Sequence, residues 1–238
     1  LVDTGAALRD VEDPNARFSR AFIATSGVRL KKKRCAVEQI KARGLDPLDV
    51  KDIVLTHLDL DHAAGLVDFP NATVHVTSAE LAAAKARATL VEKLRYVEAM
   101  WAHDPKWKTH DGSSGDAWNG FEAVRPIDDE EEVLMIPLRG HTRGHAAVAV
   151  RSPIPNGREW LLHAGDSYFF HDEIHATPPR CPTGLSFYQT FLAPDEDARK
   201  QNQDRLRRLA ADKSTKTHVF CAHSASEFDE LERTANNV

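Results

Sequence analysis

The sequence predicts an α/β fold in which strands and helices alternate along one chain. Short apolar runs typical of buried strands occur at residues 52–56, 73–77, 132–137, 146–151, 160–163 and 218–221. Segments with helical periodicity separate several of these runs, and this order of mixed elements is typical of layered α/β domains. The 238 residues, 42% of them hydrophobic, suffice for one core, so we predict a single domain over residues 1–238.

The helical segments are recognised by their periodicity and their end signals. Residues 35–43 form a short amphipathic pattern, and Ser78 is predicted to cap a long helix through the Ala-rich residues 79–100. Asp195 is predicted to open the last long helix. Residues 101–120 mix Trp with His, Asp and Gly, so we predict a long irregular loop there.

The composition of the chain indicates which kinds of molecule it is expected to bind. The formal net charge of -5 argues against a general nucleic-acid binder. No apolar run reaches the roughly 18 residues that a membrane-spanning helix requires. Cys35, Cys181 and Cys221 are widely spaced and form no CxxC pair, which suits a reducing compartment rather than a disulfide framework. We therefore expect a cytoplasmic protein that acts on a small molecule, with no nucleic-acid or membrane partner.

Four potential metal ligands lie within six residues directly after the predicted strand 52–56. They are His57, Asp59, Asp61 and His62. In an extended segment the first three would point the same way, and a turn after Asp61 would bring His62 towards a neighbouring ion. Imidazole nitrogen and carboxylate oxygen suit zinc, iron or manganese. The alternative interpretation is a solvated acidic turn with two incidental histidines.

Three later strand ends also carry groups that can bind a metal. They are His141 and His145 in G-H-T-R-G-H, Asp166 in a G-D pair, and His223 after the last apolar run. One histidine at a strand end is more often a hydrogen-bonded core residue than a ligand. Four separate strand ends are much harder to explain by packing, so the sequence predicts a metal site.

In their order and spacing these motifs resemble the metallo-β-lactamase superfamily, which includes glyoxalase II and the acyl-homoserine lactonases. The family signature is H-x-H-x-D-H, then G-H-T, then G-D, then a late strand-end His. The resemblance covers nearly the whole chain and implies a four-layer αββα sandwich. Asp3-Thr4-Gly5 resembles the early D-T-G of the family, which implies that the first strands are missing or truncated before Leu1. A homodimer is an expectation from the family alone.

The resemblance also implies two divalent metal ions, with zinc as the first expectation and iron or manganese as alternatives. The matching positions are His57, Asp59 and His141 for the first ion, Asp61, His62 and His223 for the second, and Asp166 as the bridging carboxylate. His145 would line the site as a hydrogen-bonding residue.

One position departs from the family pattern, because Asp59 stands where the family has its second histidine. With Asp59, Asp61, Asp166 and one hydroxide, the ligand charges balance those of two divalent ions, whereas histidine would leave one positive charge. Less positive charge makes the bound water less acidic and favours iron or manganese. The ligand charges thus predict that Asp59→His increases zinc retention. Alternatively, Asp59 disables the first site and leaves a one-metal enzyme.

The function implied by the resemblance is hydrolysis of a lactone, ester or thioester by water activated between two ions, with Asp61 orienting that water. An iron-dependent oxidoreductase is one alternative, because the flavodiiron branch has a similar H-x-E-x-D-H pattern. A catalytically idle metal-binding module is another. His171 and His175 flank an Asp-Glu pair and form a weaker candidate for a surface metal site.

The catalytic tyrosine of the acyl-homoserine lactonases lies three residues after the bridging Asp. Phe169 occupies that position here and Tyr168 is one residue earlier, so Tyr168 is the catalytic candidate, with aromatic packing as the alternative. Cys221 lies in an apolar run, where a thiol is expected to stay protonated and inert.

Overall fold

The computed structural model describes residues 1–152 and 159–235, and the chain divides into two compact units. The first unit comprises Leu1–Val76 and Leu81–His110, and the second comprises Thr77–Glu80 and Asp111–Val238. Each unit contains its own buried apolar cluster. Within the described ranges, no helix is long and apolar enough to span a membrane. The single domain over residues 1–238 stays a prediction.

The first unit contains a three-stranded sheet in the order β1-β2-β3. Its strands are β1 (Asp52–Val54), β2 (Thr73–Thr77) and β3 (Lys106–His110). The helices along this part of the chain are α1 (Leu8–Glu12), α2 (Arg20–Ser26), α3 (Ala36–Ala42), α4 (Leu60–Ala63), α5 (Ser78–Ala86) and α6 (Leu90–Arg95). Strands β1 and β2 are parallel, and their apolar residues, such as Ile53 and Val74, are buried in the cluster of this unit.

The long helix predicted over residues 79–100 is wrong, because the chain breaks after α5. Arg87 adopts a left-handed φ of 45°. Thr89 then starts α6 with a capping box: its hydroxyl accepts from the Glu92 N–H at 3.1 Å, and the Glu92 carboxylate accepts from the Thr89 N–H at 2.9 Å. The T-x-x-E spacing in the sequence carried this signal. At the start of α5, the Thr77 hydroxyl accepts from the Glu80 N–H at 3.2 Å, so Thr77 is a capping residue there.

The irregular loop predicted over residues 101–120 is also partly wrong. It contains β3 and another strand, β4 (Asp116–Trp118). Trp101 and Trp107 are partly buried and pack against the apolar cluster of the first unit. Their burial, and not local strand propensity alone, accounts for the order in this segment.

The second unit is built on a six-stranded sheet in the order β4-β5-β6-β7-β8-β9. The strands after β4 are β5 (Phe121–Pro126), β6 (Val133–Pro137), β7 (Ala146–Arg151), β8 (Trp160–His163) and β9 (Thr217–Phe220). The helices of this unit are α7 (Asp172–His175), α8 (Thr183–Leu192), α9 (Glu196–Ala211) and α10 (Ala225–Ala235). All six strands predicted from the apolar runs are present, with ends that agree within one residue except that β1 ends at Val54, two residues earlier than predicted.

Helix α9 begins as predicted. The Asp195 side chain accepts from the Ala198 N–H at 3.0 Å, and acidic residues occupy the first turn, where they interact favourably with the helix dipole. Leu206 and Leu209 are buried in the apolar cluster of the unit. Burying one such side chain contributes roughly 1.5–3 kcal/mol.

The sheet topology brings three chain segments to one edge of the second unit. Strands β8 and β9 are parallel, so the segments that leave their C-terminal ends emerge at the same edge. Strand β7 is antiparallel to both β6 and β8, so the β6–β7 connection lies at that edge too. These segments carry His141, Asp166 and His223, which explains why residues far apart in sequence converge.

Candidate metal centre

Four predicted ligands in the first unit lie directly after β1. We call His57, Asp59, Asp61 and His62 the N-terminal ligand cluster. His57 Nε2 lies 3.4 Å from Asp59 Oδ2, and the ring centroids of His57 and His62 are 4.0 Å apart. Asp61 and His62 each offer a ligand atom within 4.8 Å of the other. The turn comes earlier than the sequence predicts, because helix α4 begins at Leu60 and the chain is therefore not extended through Asp61.

The hydrogen bonds around His57 and His62 fix their tautomers. The Thr56 hydroxyl donates to Asp3 Oδ2 at 2.8 Å, so it must accept from His57 Nδ1, which lies 2.9 Å away. Asp3 Oδ2 also lies 2.8 Å from His62 Nδ1, and a carboxylate can only accept. Both rings therefore carry a proton on Nδ1, so the neutral form of each ring has its lone pair on Nε2, which is the tautomer that binds a metal through Nε2.

The segment that contains Asp3 is held tightly against the N-terminal ligand cluster. The Thr4 N–H and hydroxyl both donate to the His62 carbonyl, at 2.8 and 3.0 Å. A Cβ at Gly65 would lie 2.6 Å from the Thr4 carbonyl oxygen, so this contact requires glycine. The D-T-G motif, which the sequence analysis used only as a family marker, thus orients two histidines through Asp3.

Three further predicted ligands lie together in the second unit, and we call His141, Asp166 and His223 the C-terminal ligand cluster. Asp166 is buried, with Oδ2 3.4 Å from His141 Nε2 and Oδ1 3.1 Å from His223 Nε2. His223 Nε2 is also hydrogen-bonded to Asp166 Oδ2 at 3.3 Å, so His223 faces both carboxylate oxygens and His141 faces one of them. One carboxylate thus contacts two histidines, as a bridging carboxylate would.

His145 is a hydrogen-bonding residue and not a ligand, as the sequence interpretation expects. Its Nδ1 lies 3.1 Å from the Leu138 carbonyl, which can only accept, so Nδ1 carries the proton. Its Nε2 accepts from the Asp166 backbone N–H at 2.9 Å. Both ring nitrogens are used, and the second bond fixes the backbone that carries Asp166.

The loop that carries His141 is fixed by the buried Glu80. The Glu80 carboxylate accepts from the Thr142 hydroxyl at 2.6 Å and from the Gly144 N–H at 3.0 Å. A Cβ at Gly144 would lie 2.1 Å from the Glu80 backbone nitrogen, so the G-H-T-R-G-H loop requires glycine here. Glu80 lies in the first turn of α5, so its position in the sequence gives no sign of this role.

The loop after Asp166 is fixed by a second buried carboxylate. Glu173 Oε1 accepts from the N–H groups of Phe169 and Phe170, both at 3.1 Å. The Gln203 amide donates to the Ser167 carbonyl at 2.9 Å. These bonds aim the Phe169 ring at the C-terminal ligand cluster, with its centroid 5.7 Å from that of His141 and 4.9 Å from that of His223.

Tyr168 is paired with a carboxylate of helix α10. Its side chain is fully buried, and its hydroxyl donates to Glu227 Oε1 at 2.9 Å. Burial, together with the nearby Cys221 and Glu227, raises the pKa of the phenol well above its ordinary value. The catalytic role of Tyr168 stays a prediction, and this hydrogen bond favours the packing interpretation.

Cys221 offers no nucleophile, as predicted. Burial, followed by the negative charge of Glu227, raises the pKa of its thiol well above the ordinary value. Glu227 also fixes the backbone here, since its Oε2 accepts from the Cys221 N–H at 2.9 Å. Cys221 is two residues before His223, so this bond fixes the segment that carries His223.

Two of the histidine–aspartate separations fit metal coordination better than direct hydrogen bonding. Ligand atoms bound to tetrahedral zinc at roughly 2.0–2.1 Å lie about 3.3 Å from one another. The His57–Asp59 and His141–Asp166 pairs are both 3.4 Å apart, at the long end for a nitrogen–oxygen hydrogen bond. The donor atoms, neutral imidazole and carboxylate, are those that zinc, iron and manganese bind.

His171 and His175 do not belong to any such group among the described residues. His171 Nε2 lies 2.8 Å from Asp172 Oδ1, whereas His175 Nε2 lies 3.2 Å from Glu227 Oε1. The two side chains are thus paired with different carboxylates. We do not retain the surface metal site that the sequence suggested for them.

Comparison with known proteins connects this chain to one family. The model that describes the metallo-beta-lactamase superfamily matches residues 1–223. A probable metallo-hydrolase of Mycobacterium tuberculosis is 35% identical over 237 residues, which cover 99% of this chain and 74% of the relative. The N-acyl homoserine lactonase AttM of Rhizobium radiobacter is 30% identical over 179 residues, which cover 75% of this chain and 64% of that protein.

A solved structure extends the likeness to the fold. An N-acyl homoserine lactone hydrolase, with N-hexanoyl-L-homoserine at its catalytic metal centre, superimposes with a TM-score of 0.68. The match covers 96% of this chain and 78% of that chain at 19% identity, so it shows a shared fold and no more.

Proposed function

Because the chain belongs to the metallo-beta-lactamase superfamily and has its α/β fold, we propose that it is a metal-dependent hydrolase of a small carbonyl substrate such as a lactone, ester or thioester. The observation that carries this proposal is the geometry of the two ligand clusters. In each cluster, imidazole Nε2 and carboxylate oxygens lie at the separations of atoms that share a metal ion. Among the described residues, the Cys221 thiol is buried with a raised pKa and does not compete as a nucleophile.

We assign the ligands by the family pattern. One ion would be held by His57, Asp59 and His141, the other by Asp61, His62 and His223, with Asp166 shared between them. When bound, two divalent ions would lower the pKa of water and polarise the substrate carbonyl. Zinc is the expected metal because neutral imidazoles supply four of the seven ligands.

The chain's own residues prepare this chemistry by fixing ligand orientation before any metal binds. Asp3 and Thr56 hold the His57 and His62 rings in the metal-binding tautomer. His145 fixes the backbone of Asp166. Ligands that are already oriented lose little freedom on binding, which strengthens metal affinity. In this proposal Asp61 would orient the attacking water as well as bind metal.

The ester-like substrate class is supported by the relatives and by the apolar ring beside the C-terminal ligand cluster. AttM is an N-acyl homoserine lactonase by name, and it is 30% identical to this chain over the matched residues. Phe169 places an apolar face 4.9 Å from the His223 ring, which suits the carbon skeleton of an acyl or lactone substrate. Phe169 has no hydroxyl, so the chain would polarise the carbonyl without a tyrosine at that position.

Metal content and turnover test the proposal together. We expect about two zinc ions per chain by elemental analysis, and hydrolysis of at least one class in a panel of N-acyl homoserine lactones, aryl esters and thioesters. Removal of the metal with a chelator should abolish turnover, and added zinc should restore it. His171→Ala is the matched control, because it removes a histidine outside both ligand clusters and should leave metal content and turnover unchanged.

Two results would contradict the proposal. Full metal loading without turnover on any member of the panel would favour an idle metal-binding module. Visible absorbance from bound iron, with oxygen consumption in place of hydrolysis, would favour the oxidoreductase alternative. The small-molecule partner, the cytoplasmic location and the homodimer stay predictions.

A further inference from the structure

Arg95 is a buried cation beside the residue that departs from the family pattern. Its Nε lies 3.2 Å from Asp59 Oδ1, and the side chains of Arg95 and Asp59 are only 7% and 12% exposed. The other Asp59 oxygen, Oδ2, is the one that lies 3.4 Å from His57 Nε2. The carboxylate thus divides its two oxygens between a guanidinium and the N-terminal ligand cluster.

Helix α6 is built to bury this arginine. Leu90 and Leu94 are 73% and 68% exposed, whereas Arg95 on the same short helix is buried. This inverts the usual pattern, in which leucine faces the core and arginine faces water. The capping box of Thr89 and Glu92, which breaks the predicted long helix, gives α6 its own start and so allows it to present Arg95 to Asp59.

A buried charge needs compensation. A carboxylate removed from water carries a large desolvation cost unless an opposite charge or hydrogen bonds offset it. Asp59 with Arg95 forms a pair of zero net charge, whereas Asp59 alone would add one negative charge to the first metal site. The neutral histidine that the family has at this position also adds no net charge to the first metal site. The pair therefore has the net charge of the residue that it replaces.

We propose that Arg95 is the counter-ion of Asp59, and that the two residues together take the place of the family's second histidine in the first metal site. The inference rests on the metal site of the proposed function. It revises the charge count made from the ligands alone, in which Asp59 shifts the site towards iron or manganese. With Arg95 included, the site keeps its positive charge and its preference for zinc.

A double-substitution cycle tests this inference through zinc affinity, measured by competition with a chelator. Asp59→His alone would leave the buried cation of Arg95 beside a divalent ion, so we expect zinc affinity at one site to fall by about tenfold or more. Asp59→His combined with Arg95→Met removes both charges and should recover most of that loss. The melting temperature of the metal-free variants provides a second readout of the same coupling.

Two further variants keep the test sharp. Arg95→Lys retains the positive charge and should bind zinc within a fewfold of wild type even if Asp59→His folds poorly. Lys93→Met removes an exposed cation from the same helix and should change neither zinc affinity nor melting temperature.

The outcomes separate this inference from the proposed function. A wild type that binds two zinc ions, together with an Asp59→His variant that keeps or gains zinc affinity, would overturn the role of Arg95 alone. Equal effects of Asp59→His with and without Arg95→Met would also overturn it. A wild type that binds no zinc would overturn the metal site itself, and this inference with it.

Discussion

Asp166→Ala is expected to remove at least one metal ion per chain and to abolish hydrolysis. The Asp166 carboxylate contacts two histidines, His141 at 3.4 Å and His223 at 3.1 Å. Its loss leaves both imidazoles without the carboxylate that would share their ions. Metal catalysis supplies several kcal/mol of transition-state stabilisation, so turnover should fall by about a thousandfold or more.

Elemental analysis and kcat/KM on the best substrate of the panel measure this effect. Asp204→Ala is the matched control, because it removes an exposed carboxylate from α9 in the same unit. An Asp166→Ala protein that retains two ions and near wild-type turnover would disprove the bridging assignment. Loss of turnover with the metal content intact would instead assign Asp166 a role in the chemical step.

Glu227→Ala is expected to destabilise the second unit and to weaken metal binding, although Glu227 is not a ligand. Its carboxylate joins two ligand-bearing segments: Oε1 accepts from the Tyr168 hydroxyl, two residues after Asp166, and Oε2 accepts from the Cys221 N–H, two residues before His223. The side chain is buried, so removing it strands both donors. We expect a loss of about 3–5 kcal/mol in the free energy of unfolding and a fall of roughly 10–100-fold in metal affinity.

Urea unfolding of the metal-free protein and chelator competition measure the two effects separately. Glu232→Ala removes an exposed carboxylate from the same helix α10 and should change neither. If Glu227→Ala unfolds like wild type, the two segments are held by other contacts and the carboxylate is dispensable. If stability falls while metal affinity is unchanged, Glu227 serves the fold without positioning the ligands.

The pH dependence of stability gives a further readout of Glu227. Burial raises the pKa of this carboxyl, but hydrogen bonds from His175, the Cys221 N–H and the Tyr168 hydroxyl outweigh burial, so the pKa lies below its ordinary value of 4.5. The depressed pKa means that the ionised form stabilises the fold. That stabilisation is complete above about pH 4.5 and is lost as the pH falls through the lower pKa of the folded state.

Glu227→Gln isolates this contribution. The difference in unfolding free energy between wild type and Glu227→Gln should be largest near neutral pH and should shrink below about pH 4.5. A difference that stays constant from neutral pH to strongly acidic pH would show that ionisation of Glu227 does not stabilise the fold.

Predictions from local sequence patterns were least informative where two local signals pointed to different structures. The Ala-rich residues 79–100 have high helix propensity, yet the capping box at Thr89 and Glu92 starts a new helix within them. Tyr168 and Phe169 are adjacent in sequence, but neighbours in an irregular loop point in different directions. The family spacing falls on Phe169, and the bonds of Glu173 aim that ring at the histidines. Tyr168, the candidate that carries a hydroxyl, instead bonds to Glu227.

The sequence by itself determined the family, six of the nine strands in the described residues and the seven candidate ligands. Apolar runs of strand length, and polar groups at the ends of those runs, are local patterns that can be recognised in the amino-acid sequence. Only the tertiary structure decided what surrounds those ligands: Asp3 orienting His62, Glu227 joining two segments, and Arg95 pairing with Asp59. These partners lie far apart along the chain, and a buried charge reveals its compensating partner only when folding has removed both from water.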